Sequence, residues 1–156
     1  MKLATFNARV ERVATKPMFR DAFKRHRCLI PASGYYEWED TPDGKHPHYF
    51  TARDGSPVLT MAGLWDRWTN IETKEQLLSC TMLITEPNGY IAEVHDRMPV
   101  ILRPEQFDRW LDGSMGVEDI KTPIADDYLR RRRVSRRVNS SRAANDDATL
   151  IEEEAD

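Results

Sequence analysis

Apolar and polar residues alternate over residues 3–13, most clearly in Phe6-Asn7-Ala8-Arg9-Val10. A period of two predicts a strand with Asn7 and Arg9 on one face. Lys16-Pro17 then opens a short helix, Pro being tolerated in a first turn. Phe19 and Phe23, at i and i+4, give that helix a buried side, while Arg20, Lys24, Arg25 and Arg27 leave the other side basic. Those four cations suit either a solvated face or phosphate contacts.

Residues 27–39, Arg-Cys-Leu-Ile-Pro-Ala-Ser-Gly-Tyr-Tyr-Glu-Trp-Glu, read as two strands broken by Pro31 and Gly34. In the second, Tyr36 and Trp38 share one face, and Tyr35, Glu37 and Glu39 share the other. The turn Thr41-Pro42-Asp43-Gly44-Lys45 leads to a strand over 46–52, and Arg53-Asp54-Gly55-Ser56-Pro57 to another over 58–64. Residues 65–76 read as a loop excursion and 77–85 as a largely buried strand. Pro87-Asn88-Gly89 turns into a short helical segment over 90–94, which delivers His95 into a loop. Val100-Ile101-Leu102 is a further strand. Pro104 opens a helix over 104–111 with Phe107, Trp110 and Leu111 on its core face. Residues 112–127 are polar and punctuated by Gly113, Gly116 and Pro123. Short strands at this spacing, joined by Gly/Pro turns, predict a curled antiparallel sheet or barrel.

At 156 residues the chain fits one domain able to bury a core, and 40% hydrophobic with 31% charged residues is ordinary for a globular protein. No apolar run approaches the ~20 residues that span a bilayer, and no secretory leader is visible, so a cytoplasmic protein is expected. Net charge is −3. The six acids Asp146, Asp147, Glu152, Glu153, Glu154 and Asp156 account for more than all of it, leaving residues 1–145 at +3. Arginines at 130–133, 136 and 137 form the densest basic cluster, either a DNA-facing surface or a solvated face neutralised by the acidic tail. The tail, residues 141–156, is too polar to fold and is expected to be disordered, leaving 1–140 as the folded domain.

Glu37 is a carboxylate set among large rings. Withdrawn from water, it would have a raised pKa and could hold or deliver a proton near neutral pH; on a wet strand face it would be an ordinary surface Glu. His95-Asp96-Arg97-Met98-Pro99 brings together a near-neutral base, a carboxylate and a guanidinium able to grip phosphate. His46 and His48 share a strand face, but no compact Cys/His cluster accompanies them, so neither a metal site nor a cofactor is expected. Cys28 and Cys80 lie in apolar runs and read as buried free thiols. Trp38, Trp65 and Trp68 could stack on unpaired bases, whereas Trp110 reads as core.

Asn7-Ala8-Arg9, Gly34-Tyr35-Tyr36-Glu37-Trp38 and His95-Asp96-Arg97-Met98-Pro99, in this order, resemble the signature of the SOS-response-associated peptidase (SRAP) family. The likeness runs from about Phe6 to Leu111 and resumes at Val134-Ser135-x-x-Val138-Asn139. It implies an α+β SRAP-like domain, a curled, mostly antiparallel sheet or barrel flanked by short helices. The activity implied is abasic-site processing in the DNA-damage (SOS) response, on single-stranded or junction DNA. In the family, autopeptidase removal of the initiator Met exposes a Cys. Its amine attacks the ring-opened abasic site and its thiol closes a thiazolidine, a covalent protein–DNA linkage.

By the same resemblance Glu37 is the acid/base carboxylate and His95 the proton shuttle. Asn7 holds the nucleophile and sugar, Arg9 and Arg97 contact the DNA backbone, and Thr85 lies near the same cleft. The chain begins Met1-Lys2-Leu3 where the family has Met-Cys-Gly-Arg, so the N-terminal portion with the nucleophilic Cys is missing from it and no stable thiazolidine is expected of it. The residues retained fit a crosslinking or lyase enzyme. Two other readings are a DNA-binding remnant without covalent chemistry and a general thiol peptidase built on Cys28 or Cys80. A monomer, associated with the nucleoid when on damaged DNA and with no membrane partner, is expected.

Overall fold

The computed structural model describes residues 6–144 and 146–154. The chain divides into two compact units, each with its own sheet. Residues 1–31, 60–86 and 97–124 form the first, and residues 32–59, 87–96 and 125–156 the second. The elements are short helices and mostly antiparallel strands, an α+β architecture. None of the described helices is long and apolar enough to cross a membrane.

In the first unit, β1 (Asn7–Arg9) runs into a helical turn, α1 (Val10–Val13), followed by α2 (Arg20–Arg25) and β2 (Arg27–Ala32). The alternation over residues 3–13 overstated the strand. Val10 and Val13, both 0% exposed, lie three apart, a spacing that reaches the core together only from a helical turn. Residues 3–5 of the expected strand lie outside the described residues. β1 pairs in parallel with β6, Asn7 opposite Met82 and Arg9 opposite Ile84. Phe19, Phe23, Leu64, Leu83, Leu102 and Trp110 gather beneath it as the core.

The β3 (Tyr35–Thr41) and β4 (Gly44–Ala52) hairpin of the second unit comes next in the chain, and then β5 (Leu59–Thr69) and β6 (Gln76–Thr85). Residues 65–69 are therefore strand rather than loop, paired through Trp68 opposite Leu77. The turn that joins the two strands is held by Asn70, whose Oδ1 accepts the N–H groups of Glu72 and Thr73. The near half of β6 is exposed; burial alternates only from Thr81 through Leu83 to Thr85. Cys80 is accordingly exposed and Cys28 half-buried, against the expectation of two buried thiols.

After α3 (Gly89–Ala92), the first unit is completed by β7 (Met98–Pro99), β8 (Ile101–Leu102), a 3-10 turn over Pro104–Gln106, α4 (Phe107–Leu111) and α5 (Val117–Ile120). Trp110 is fully buried, but Leu111 is 48% exposed and does not join it. Met115 and Ile120, in the stretch read as polar, enter the core. Arg27 is not part of a basic outer face. Its guanidinium donates to the carbonyls of Phe23, Trp110 and Met115 and lies over the Phe23 and Trp110 rings, tying α2 to α4.

The second unit is a three-stranded antiparallel sheet in the order β3, β4, β9, with β9 (Leu129–Arg133) made of four arginines behind one leucine. Arg133 pairs with His48 and Leu129 with Ala52. Tyr35 stacks on Phe50 with centroids 5.1 Å apart, and Phe50 meets Tyr90 edge-on. At Gly34 a Cβ would overlap the Phe50 carbonyl oxygen and the Tyr49 ring, so glycine lets the chain pass close to β4. The acidic segment, expected to be disordered, carries a 3-10 turn over Ala148–Ile151 and buries Leu150.

Candidate active site

Strand alternation places Glu37 on the face of β3 opposite to Tyr36 and Trp38, and α3 followed by a tight turn brings His95 to it. His95 Nδ1 lies 3.7 Å from Glu37 Oε2 and 3.5 Å from Asp96 Oδ1. The Glu37 side chain is 19% exposed, that of His95 39% and that of Asp96 86%, a gradient from a shielded carboxylate to open solvent. Burial pushes the Glu37 pKa up to about 6; His95 opposes the shift and Asp96 adds to it. Tyr35, two residues before Glu37, has its own pKa raised by burial first and by the Glu37 carboxylate second. A shielded carboxyl whose pKa is pushed up to about 6, set beside an imidazole, can exchange a proton with a bound molecule near neutral pH.

Trp38 is fixed from the far end of the chain. Its Nε1–H donates to Asn139 Oδ1 at 2.6 Å, which gives the Val138-Asn139 segment a physical job in holding the strand that carries Glu37. On the neighbouring strand, His48 Nε2 lies 3.0 Å from Glu39 Oε2, and His46 receives Arg133 and Arg136.

Asn7 and Arg9 belong to the first unit. Both are exposed on β1, flanking the buried Ala8, and they line a pocket with Arg12, Lys16 and Phe19. Three of the five lining side chains are cationic and none is acidic, a composition suited to phosphate. Arg12 and Lys16 were not singled out in the sequence, although they follow Arg9 at i+3 and from there at i+4. Arg97 meets Glu11, Nη1 to Oε1, at 2.5 Å. Thr85, 2% exposed, donates its hydroxyl to the Lys121 carbonyl at 2.7 Å. Arg97 is thus tied to α1, and Thr85 to the end of α5.

The Cys28 thiol is poorly placed for nucleophilic work. Cys28 has its pKa raised by burial first and by the nearby Cys80 second, which lowers the thiolate fraction. Among the described residues, no group of three His, Cys, Asp or Glu side chains is arranged to hold a metal ion.

The model of the family described as SOS response associated peptidase (SRAP) matches residues 1–141. The chain belongs to that family. Abasic site processing protein YoqW of Bacillus subtilis (strain 168) is 35% identical over 151 residues, covering 94% of this chain. Abasic site processing protein HMCES of Xenopus tropicalis is 32% identical over 91% of this chain. A crystal structure of a Bacteroides thetaiotaomicron protein superposes with a TM-score of 0.89 at 26% identity, covering 97% of this chain and 66% of that one. The chain spans 66% of the length of the Bacillus relative and 48% of that of the Xenopus relative. This SRAP chain places His95 beside a shielded Glu37 and carries the basic pocket on β1.

Proposed function

We propose that this SRAP chain processes abasic sites in single-stranded or junction DNA, with Glu37 and His95 as its acid/base pair. The observation that carries the reading is Glu37 beside His95 on a shielded strand face, where burial pushes its pKa up to about 6. An abasic site equilibrates between a closed sugar and an aldehyde. Opening it needs a proton moved off the anomeric hydroxyl and another placed on the ring oxygen, which a carboxylic acid and an imidazole in alternate protonation states can do. A Glu37 carboxyl poised at this pKa can also protonate the hydroxyl that leaves as water when an amine adds to the aldehyde. It can then accept the C2′ proton as the C3′–O bond breaks and the 3′ phosphate leaves, a β-elimination, which is lyase chemistry.

Arg9, with Arg12 and Lys16, is assigned to phosphate, and Asn7, on the same strand face, to the sugar. Arg97, tied to Glu11 on α1, is proposed as a further DNA-backbone contact, and Thr85, bonded to the Lys121 carbonyl, as a residue near the same site. The covalent linkage through a terminal Cys and the autopeptidase step need a Met-Cys pair that Met1-Lys2 does not supply, and they are not assigned to this chain. The proposal gives the acid/base and phosphate-binding parts to this chain. DNA is the partner, a monomer the working unit, and the cytoplasm or nucleoid the place of action.

The test compares an abasic oligonucleotide with its intact counterpart, using the wild-type chain, Glu37→Gln and His95→Ala. Processing confined to the abasic strand and lost in both variants is expected. Equal turnover by all three proteins would overturn the assignment.

A further inference from the structure

We propose that Arg133, Arg136 and Arg137, with His46, form a second phosphate-binding surface, on the second unit, which the acidic segment 146–154 of the same chain covers until DNA displaces it. This rests on the reading of the chain as a DNA-binding protein.

From Leu129 to Arg142 the sequence has seven arginines and no acid. Three of them have carboxylate partners among the described residues: Arg131 with Glu93, Arg133 with Glu154 and Arg137 with Asp147. Two of those three carboxylates come from the acidic segment. Arg136 has no carboxylate partner among the described residues; its guanidinium and that of Arg133 both lie against the His46 ring. Desolvation, and then these two guanidiniums, lower the His46 pKa. Two cations converge on one imidazole, and of the two only Arg133 has a carboxylate partner, so the Arg136 charge is left uncompensated among the described residues, as at a site for an oxyanion.

The covering segment is held in a particular way. Val134 forms an antiparallel bridge with Glu153, and Glu154 N–H donates to the Arg133 carbonyl at 2.9 Å, so the segment continues the sheet edge. Arg132 Nε donates to the Ile151 carbonyl, Arg137 to Thr149 Oγ1, and Leu150, 8% exposed, is the apolar anchor. The ion pairs are at least partly open to water: the Arg133 and Glu154 side chains are 49% and 41% exposed, and Arg137 and Asp147 58% and 22%. Pairs so exposed contribute little net stability and exchange readily for phosphate. Anchor and charge are therefore separable. Leu150 and the strand bridge seat the segment, and its carboxylates occupy positions that a DNA backbone would otherwise take.

The test uses the full chain and the variant Asp147→Asn/Glu152→Gln/Glu153→Gln/Glu154→Gln, which keeps Leu150. Binding of labelled oligothymidine of about 20 nucleotides is followed across a salt titration, because released counterions report the phosphates engaged. A control variant, Glu72→Gln/Glu75→Gln/Glu86→Gln/Glu105→Gln, changes net charge equally at exposed positions elsewhere. The tail variant is expected to bind roughly tenfold tighter with a salt slope steeper by about two. Adding Arg136→Gln/Arg137→Gln should cancel the gain, and the control should show a smaller one. A gain matched by the control, or one that survives the arginine substitutions, would overturn the proposal. So would a tail variant that binds as the wild type does. Inorganic polyphosphate separates the two readings. If no protein binds DNA but the tail variant takes up polyphosphate more tightly, the DNA reading falls and the covered anion surface stands.

Discussion

The Glu37 carboxylate lies 3.7 Å from His95 Nδ1, although the two residues come from opposite ends of the second unit's first two segments. Burial on one side of this pair and Asp96 on the other hold Glu37 near a pKa of 6. Because the folded-state pKa is raised above that of a free Glu, the ionised form is disfavoured in the native protein. The stability that Glu37 contributes is therefore greatest below pH 4.5 and falls as pH rises through 4.5 to about 6. Glu37→Gln should leave stability nearly unchanged at pH 4.5 and raise it by on the order of 1 kcal/mol at pH 7.5. Urea unfolding at the two pH values measures the difference; a destabilised Gln variant at pH 7.5 would show that the carboxylate is better solvated than its burial indicates.

Arg97 and Glu11 should behave in the opposite sense with pH. Burial works against ionised Glu11, but the hydrogen bond and charge of Arg97, a backbone hydrogen bond and the charge of Arg9 together outweigh it and hold the Glu11 pKa below its usual value. The pair stabilises the fold above pH 4.5, and that contribution is lost as pH falls through the lowered pKa. With Glu11 partly exposed, Glu11→Gln should cost roughly 0.5–1 kcal/mol at pH 7 and almost nothing near pH 2. The readout is the denaturant midpoint against pH.

Much of this was legible in the sequence. Alternation in Tyr35-Tyr36-Glu37-Trp38 gave the correct faces of β3, and the Pro87-Asn88-Gly89 turn correctly led to a short helix before His95. Asn88 caps that helix by accepting the Ile91 N–H. What stayed hidden depends on long-range pairing. Residues 65–69 carry Asp66 and Arg67 and looked like loop, because an exposed hairpin end loses the apolar alternation that marks a strand. β9 was obscured by its four arginines, whose stems and charges are satisfied only by partners distant in the chain. The roles of Glu11, Asn139 and Leu150 are contacts of the same kind, with no local signature.

Gly34 should not tolerate a side chain. The Phe50 carbonyl oxygen stands where the Cβ of an alanine would go, and backbone of β4 cannot move aside as a flexible side chain would. Gly34→Ala is expected to cost about 1–3 kcal/mol and to loosen the β3–β4 pairing that positions Glu37. Thermal melting and amide exchange across Tyr35–Thr41 would register both; a melting curve like that of the wild type would mean the strands separate without penalty.

Binding to single-stranded DNA should weaken steeply with salt, since the pocket on β1 offers Arg9, Arg12 and Lys16 to phosphates. Arg9→Gln should lower the salt slope by about one without changing base preference. An unchanged slope would remove Arg9 from the backbone contacts.

The most direct measurement is the pH dependence of abasic-site processing, with imine trapped by borohydride on denaturing gels, for wild type and Glu37→Gln. The wild-type profile is predicted to show an inflection near pH 6, where Glu37 changes protonation state. In Glu37→Gln that inflection should vanish and the rate should fall on the order of 100-fold or more, in the range removed with a general acid/base. An inflection near pH 6 that persists in Glu37→Gln, at an undiminished rate, would contradict the assignment of Glu37 as the proton-transferring carboxylate.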